Sequence, residues 1–369
     1  MPIDEKLLHK VRKKHGEDRI ILSLEDRGFC VSLLKDGTTT EVGGRTVKDF
    51  LEKVNSSSVS WVDYIVENLA DEAPKAAASL GFSEQLVNTL IKSGRRGYED
   101  LDKEMGMIIP AIIVNGFEVT LDPLLILIRD NVVATIHTTE VKRFFRLRRY
   151  AKIFMRKIDP KLLHSDKVTL VLIRILDEHN SRNFDHLREL EENSDVVSEK
   201  LSRIDTPREE MGKDIHAMKH ALIVYLTGLW ETIDVLNTLR YGDPELLTDD
   251  PRMLRRVAGL CEEVNNQIGL AEHMSEVLAS GLEVMQSIYN NQLQILNNKL
   301  ALLVAYLTVI GTAVLVPNTL ATALSNPAFQ MGPQDAWWYS ILLIGSTIVS
   351  TLFAYWWVKA RGLLPDKTQ

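Results

Sequence analysis

The chain has 369 residues, 45% of them hydrophobic and 25% charged, with a formal net charge of −7, and its length suggests about two or three structural units. The acidic balance argues against a nucleic-acid-binding protein. Two cysteines, Cys30 and Cys261, fit a reducing compartment and have neither metal nor redox spacing.

The first stretch, "MPIDEKLLHKVRKKHGEDR", is charged throughout and lacks the apolar core of a cleavable signal peptide, so none is expected. "IILSLEDRGFCVSLL" predicts two short strands around a turn at residues 26–28. "SWVDYIVENLADEAPKAAASLGF" and "SEQLVNTLIKSG" have helical spacing, with glycines placed as C-caps. "MIIPAIIV", "FEVTL", "LLILIRD" and "VVATIHT" read as further strands, parted by turn residues at Asn115–Gly116, Asp122–Pro123 and Asp130–Asn131. "VGGRTVKD" lacks the spacing of a phosphate-binding loop. Residues 1–160 therefore read as an α+β domain of α/β/α type. The domain closes on "VKRFFRLRRYAKIFMRK", a basic amphipathic helix with Phe144, Leu147, Ala151 and Phe154 on one face and Lys142, Arg146, Arg149 and Lys152 around the others. No nucleic-acid reading motif accompanies it. It reads as a solvated basic face, or as one attracted to anionic headgroups or an acidic partner helix.

Residues 161–250 predict two charged antiparallel helices, separated at Thr206–Pro207. His216 and His220 stand four apart on one helix face, but the glutamate a zinc protease would place after the first histidine is missing. These two, and His179 and His186, read as ordinary helix residues. The stalk, residues 251–299, starts with Asp249 or Asp250 as cap and Pro251 at the first helical position. Val257, Val264, Ala271, Leu278 and Met285 repeat every seven residues, and Cys261, Ile268, Leu282, Tyr289 and Leu296 share a second seven-residue register. That seam predicts a long helix packed along its length. Asp100, Asp102, Glu104, Glu262 and Glu263 are acidic without forming a metal motif, and read as solubilising carboxylates.

From residue 300 to 358 the only charged side chain is Asp335. Two apolar runs, 300–323 and 337–358, each meet the roughly 20 residues that a spanning helix needs, and they flank a loop at 324–336. Trp337, Trp338 and Tyr339 open the second run and Tyr355, Trp356 and Trp357 close it, as interfacial rings do. Lys299 precedes the first run and Lys359, Arg361 and Lys367 follow the second, while the loop holds no Lys or Arg. Both termini, including a basic tail at 359–369, are thus expected in the cytoplasm and the loop outside, in a multi-pass protein of the inner or plasma membrane.

On the first run, Thr308, Thr312, Thr319 and Thr322 fall within about 40° of one line at 100° per residue. Ala301, Ala305 and Gly311 lie near the same line. Small and hydroxylated residues suit close helix packing; they also suit the lining of a water-filled pathway, where hydroxyls replace part of an ion's hydration. Two spans enclose no pathway alone, and the heptad seam gives several copies a reason to bundle.

"NNKLALLVAYLT", with Pro317–Asn318–Thr319 beyond it, resembles the first span of the CorA family of magnesium channels. Asn297, Asn298, Leu300, Leu307 and Thr308 match its motif in register, with one extra residue before the proline-x-threonine. The order of domain, helix pair, stalk, two spans and basic tail is also the family's. The resemblance implies a CorA-like homopentamer in a lipid membrane, with a transported or regulatory divalent cation, Mg²⁺ above all, no other cofactor, no nucleic acid and no enzymatic step. It places the ion pathway along Ala301, Val304, Leu307, Thr308, Gly311, Thr312, Leu315, Thr319 and Asn326, with Leu307 at the family's hydrophobic gate. The outer entrance falls on Leu324, Ser325, Asn326 and Asp335, with Asn326 as the metal-facing group. The chain departs from the family where Ala323–Leu324–Ser325–Asn326 replaces tyrosine–glycine–methionine–asparagine, and where Ala301 and Ala305 stand at a pore asparagine and a lysine. A different ion (Zn²⁺, a proton-coupled ion or an anion) and a non-conducting membrane scaffold are the alternative expectations.

Overall fold

A computed structural model describes residues 26–141, 144–202, 208–241, 244–326 and 332–360. Strand β1 (Gly28–Leu34) turns into β2 (Thr39–Gly44) through Asp36, whose carboxylate accepts from the N–H and hydroxyl of Thr38, and through Gly37 at φ +85°. The chain continues through α1 (Leu51–Ser56), β3 (Ser57–Val66), α2 (Leu69–Ser79), α3 (Glu84–Lys92), β4 (Gly97–Asp100), β5 (Glu104–Asn115), β6 (Glu118–Arg129) and β7 (Val132–Thr138). Helices α4 (Phe145–Arg156), α5 (His164–Ser202), α6 (Arg208–Tyr241), α7 (Pro251–Leu324) and α8 (Ala336–Ala360) complete it. Two compact units result, Met1–Ala279 and Ser280–Gln369.

The first unit is built on a seven-stranded sheet in the order β2-β1-β3-β7-β6-β5-β4, parallel only between β3 and β7. One face packs on α1, α2 and α3 through a core that includes Phe50, Val62, Leu86, Leu90, Ile108 and Leu127. The other face meets α4, α5 and α6. The expected α/β/α layering is therefore present. Asn68 and Ser83 cap α2 and α3, accepting from the N–H of Ala70 and Leu86.

Three expectations are corrected. Residues 60–66 form the central strand β3 instead of the start of a helix: Val59, Trp61, Val62, Tyr64 and Val66 are buried on both faces of the sheet, and a fully buried run carries no period-2 signal. Asp122–Pro123 is no turn, because β6 runs straight through it. Pro123 faces Pro110 in the ladder, which stays in register. Two facing prolines permit this only at a non-hydrogen-bonded pair, with both nitrogens directed outward. There they have no neighbour, since β4 pairs only up to Ile108 and β7 only from Leu125. Finally, the partner of β1 in the first hairpin is β2, after the Asp36–Gly37 turn; the other strand expected before residue 26 lies outside the described residues, as do the Thr206–Pro207 break, Lys142 and the tail beyond residue 360.

Helices α5 and α6 are antiparallel. Lys200 pairs with Asp214 at 2.7 Å, and the Tyr225 hydroxyl donates to the Asn183 carbonyl at 2.9 Å, so rising numbers on one helix meet falling numbers on the other. Gly228 brings α6 onto the β5–β6 hairpin so closely that a Cβ there would sit 2.7 Å from Leu121 and 2.8 Å from Ile112. The hairpin tip is tied to α5, with Asn193 Nδ2 donating to the Gly116 carbonyl at 3.2 Å.

Candidate functional site

Helix α7 carries the candidate pathway. Asp250 Oδ1 caps it by accepting from the N–H of Arg252 at 2.9 Å, with Pro251 at the first position. Its 74 residues correspond to about 110 Å. The helix runs on through Pro317, which has no N–H for the carbonyl of Ala313 and leaves that oxygen without its usual helical donor.

The predicted seam is buried from Val257 through Cys261, Val264, Ile268 and Ala271 to Leu278. Two side-chain bonds pin it to α5: Asn180 Nδ2 donates to the Leu260 carbonyl at 3.2 Å, and Gln267 Nε2 to the Asn180 carbonyl at 3.1 Å. Further along, Leu282, Met285 and Tyr289 are only half-buried and Leu296 is exposed. A second heptad series escaped the sequence reading although its spacing was there to find. Leu270, Val277 and Val284 alternate with Met274, Gly281 and Ile288, and all its large members except Met274 are exposed.

Within the first span, Ala301, Val304, Leu307, Thr308, Leu315 and Thr319 are exposed, as are Leu303, Tyr306, Ile310, Val314 and Val316 on the other sides of the helix. Gly311 and Thr312 are half-buried, and Ala305, which the wheel puts beside the stripe, is buried. On α8 the buried positions are Ser350, Ala354 and Val358. Small side chains at the closed positions are what close approach in a membrane requires. Each stripe threonine donates its hydroxyl to the carbonyl four residues back at 2.8 Å, Thr308 to Val304, Thr312 to Thr308 and Thr319 to Leu315. The proton is thereby used inside the helix, and the oxygen lone pairs remain to meet a cation or its water.

At its C-terminal end α7 stops at Leu324, the Ser325 hydroxyl donates back to the Ala321 carbonyl, and Asn326 is exposed. Asp335 has a structural task as well as a charge: its oxygens accept from the N–H of Gly332 and from the indole of Trp338, both at 3.0 Å, at the start of α8. Residues 327–331 of the loop lie outside the described residues.

The other titratable candidates are dispersed. Among the described residues no three of His, Cys, Asp and Glu are placed to hold a metal. His216 and His220 are exposed on α6 and His179 is buried in α5. Glu104 Oε2 accepts from the Ser83 N–H at 2.9 Å, while Asp102 occupies the left-handed turn before β5. Glu262 and Glu263 both lie on the exposed side of α7, and partial burial of its carboxyl, with Asp177 adding to the shift, raises Glu263. The strongest polar cluster was not foreseen. Asp63 of β3, fully buried, accepts from Thr135 at 2.6 Å, from His137 Nε2 at 3.1 Å and from Arg148 Nε at 2.6 Å. Burial opposes its ionisation, and the charges of Arg148 and His137 with these bonds outweigh burial and hold it well below the usual carboxylate range.

Comparison with known proteins places the chain in a family. A family model described as "CorA-like Mg2+ transporter protein" matches residues 56–360. The complete CorA magnesium transporter of Methanocaldococcus jannaschii superposes with a TM-score of 0.64 at 19% identity, covering 91% of this chain and 98% of that one. The full-length CmaX protein gives 0.61 at 17%, covering 92% and 99%. The cytoplasmic domain of ZntB from Vibrio parahaemolyticus gives 0.50 at 14%, covering 71% and 98%. No curated protein sequence matches.

Proposed function

Since the chain belongs to the CorA-like Mg²⁺ transporter family, we propose that it works as a self-assembled channel, passing a divalent metal cation down its electrochemical gradient without a chemical step. Mg²⁺ is the first candidate, because the M. jannaschii relative is a magnesium transporter, with Co²⁺, Ni²⁺ and Zn²⁺ as related ions. The protein sits in the inner or plasma membrane through its two apolar helices, with both termini cytoplasmic.

The observation that carries this reading is the threonine-bearing line of α7, in which Thr308, Thr312 and Thr319 each use the hydroxyl proton inside the helix. Ala301, Val304, Thr308, Leu315 and Thr319 follow one line of a helix that begins in the cytoplasmic domain and ends at Leu324, two residues before Asn326. Around a shared axis, such stripes supply alternating hydroxyl oxygens and apolar constrictions, with Leu307 as the tightest apolar ring. The exposed heptad of Leu270, Val277, Val284 and Ile288 supports assembly; five copies is the number the family resemblance implies. At the outside, Asn326 and Ser325 receive the hydrated ion through its water shell, and Asp335 contributes one carboxylate per copy.

A second reading, altered ion selectivity, is favoured by Ala323–Leu324–Ser325, which offers no glycine at the entrance. Flux into proteoliposomes of Mg²⁺, Co²⁺, Ni²⁺, Zn²⁺ and Cl⁻ tests both. Divalent uptake that falls in Asn326→Ala supports the channel. A silent oligomer overturns it, and Cl⁻ flux alone moves the protein to the second reading.

A further inference from the structure

The basic helix α4 presents a surface that ion conduction does not use. Its inner side, Leu147, Ala151 and Met155, is buried, and Arg148 turns inward to Asp63. Outward stand Arg146, Arg149, Arg156 and Lys157, with no Asp or Glu anywhere in the helix and no ion pair to any of them among the described residues. Between these cations, Phe145, Tyr150 and Ile153 are 52%, 53% and 53% exposed.

The arrangement selects the class of partner. The three apolar side chains spread over about 140° of the helix, with arginines between them. A helix lying in a membrane surface separates its apolar side from its cationic side; here they are mixed. Arginine interleaved with aromatic residues marks protein interfaces, and its planar fork matches carboxylates.

The chain carries a matching surface. Residues 189–199 of α5, "ELEENSDVVSE", contain five carboxylates and no cation. Glu191, Glu192 and Asp195 are exposed, beside an exposed Val196. This stretch is out of reach of α4 in the same chain. The charge of Arg146 acts on Glu178, and Glu191 lies about 20 Å further along α5 at 1.5 Å per residue. The two surfaces are also of equal length, about 17 Å each.

We propose that α4 of one copy docks on residues 189–199 of a second copy, arginines against carboxylates and Ile153 near Val196. The contact rests on the self-assembly proposed above and ties the cytoplasmic domain of one copy to the helix pair of another.

The test is disulfide trapping in the full-length oligomer. Chains carrying Ile153→Cys and chains carrying Val196→Cys are co-expressed and oxidised. The native thiols do not compete: both are buried, and burial pushes Cys30 up to about 11. A mixed dimer, absent when either chain is oxidised alone, is the expected result. Arg149→Glu should lower its yield by about tenfold, the effect of losing one close charge pair, and Glu192→Arg on the partner should restore it. An oligomer of normal size without the mixed dimer overturns the docking. Quenching of a bimane attached to a Tyr150→Cys variant by nitroxide-labelled phosphatidylglycerol, a signal to which the native membrane tryptophans do not contribute, again without cross-linking, overturns it in favour of a lipid surface. If no oligomer forms at all, the assembly reading fails first.

Discussion

Arg148 Nε donates to Asp63 Oδ2 across 2.6 Å, and both side chains are buried. It is the one arginine of α4 that points into the domain, and it fixes the helix to the central strand. His137 holds the other carboxylate oxygen at 3.1 Å while its Nδ1 faces the Thr138 carbonyl at 2.7 Å.

Removing the guanidinium strands a buried charge. Arg148→Met should destabilise the protein by about 3–5 kcal/mol, more than an exposed cation away from α4 such as Lys35, whose loss should stay within about 0.5 kcal/mol. Thermal unfolding of the purified full-length protein, followed by near-UV circular dichroism, compares the two.

The same cluster sets a pH dependence. Asp63 is depressed in the folded state, so its contribution is complete above the unfolded carboxylate value, about 3.9, and is lost as pH falls through the folded one. Wild type should therefore exceed Asp63→Asn in stability at pH 7, with the gap narrowing below about pH 4. Denaturant midpoints between pH 7 and pH 3 measure it; a gap constant with pH would mean that Asp63 acts by shape alone.

Gly228 has no room for a side chain against Leu121 and Ile112. Gly228→Val should cost about 1–3 kcal/mol through overpacking, despite the better helix propensity of valine. If Leu121→Ala restores part of that loss, the clash is located where the geometry puts it.

Asp335 separates into charge and cap. Asp335→Asn removes the charge but keeps one acceptor oxygen for the Gly332 N–H, giving up the separate bond to the Trp338 indole, so the protein should still assemble and need a higher cation concentration for half-maximal uptake. Asp335→Ala loses the acceptor too, about 1 kcal/mol for a helix start, and should also lower the yield of folded protein. Equal uptake by wild type and Asp335→Asn would confine Asp335 to the structural task.

Much of this protein is legible along the chain because its determinants are local. The spans need only uninterrupted apolar length, the α7 start only Asp250 before Pro251, the α7 seam only its seven-residue repeat. The threonine stripe follows from helical spacing, though which of its members lie open did not: Ala305 is closed while Ala301 beside it is exposed. What tertiary structure decided depends on partners far away in sequence. Residues 60–66 are a strand because β1 and β7 flank them, and a strand buried on both faces has no alternation to betray it. Pro123 lies inside a strand because Pro110 faces it beyond the ends of β4 and β7. In the sequence Arg148 is one cation among many; only folding, which brings it to a buried carboxylate 85 residues away, separates it from the arginines left facing out.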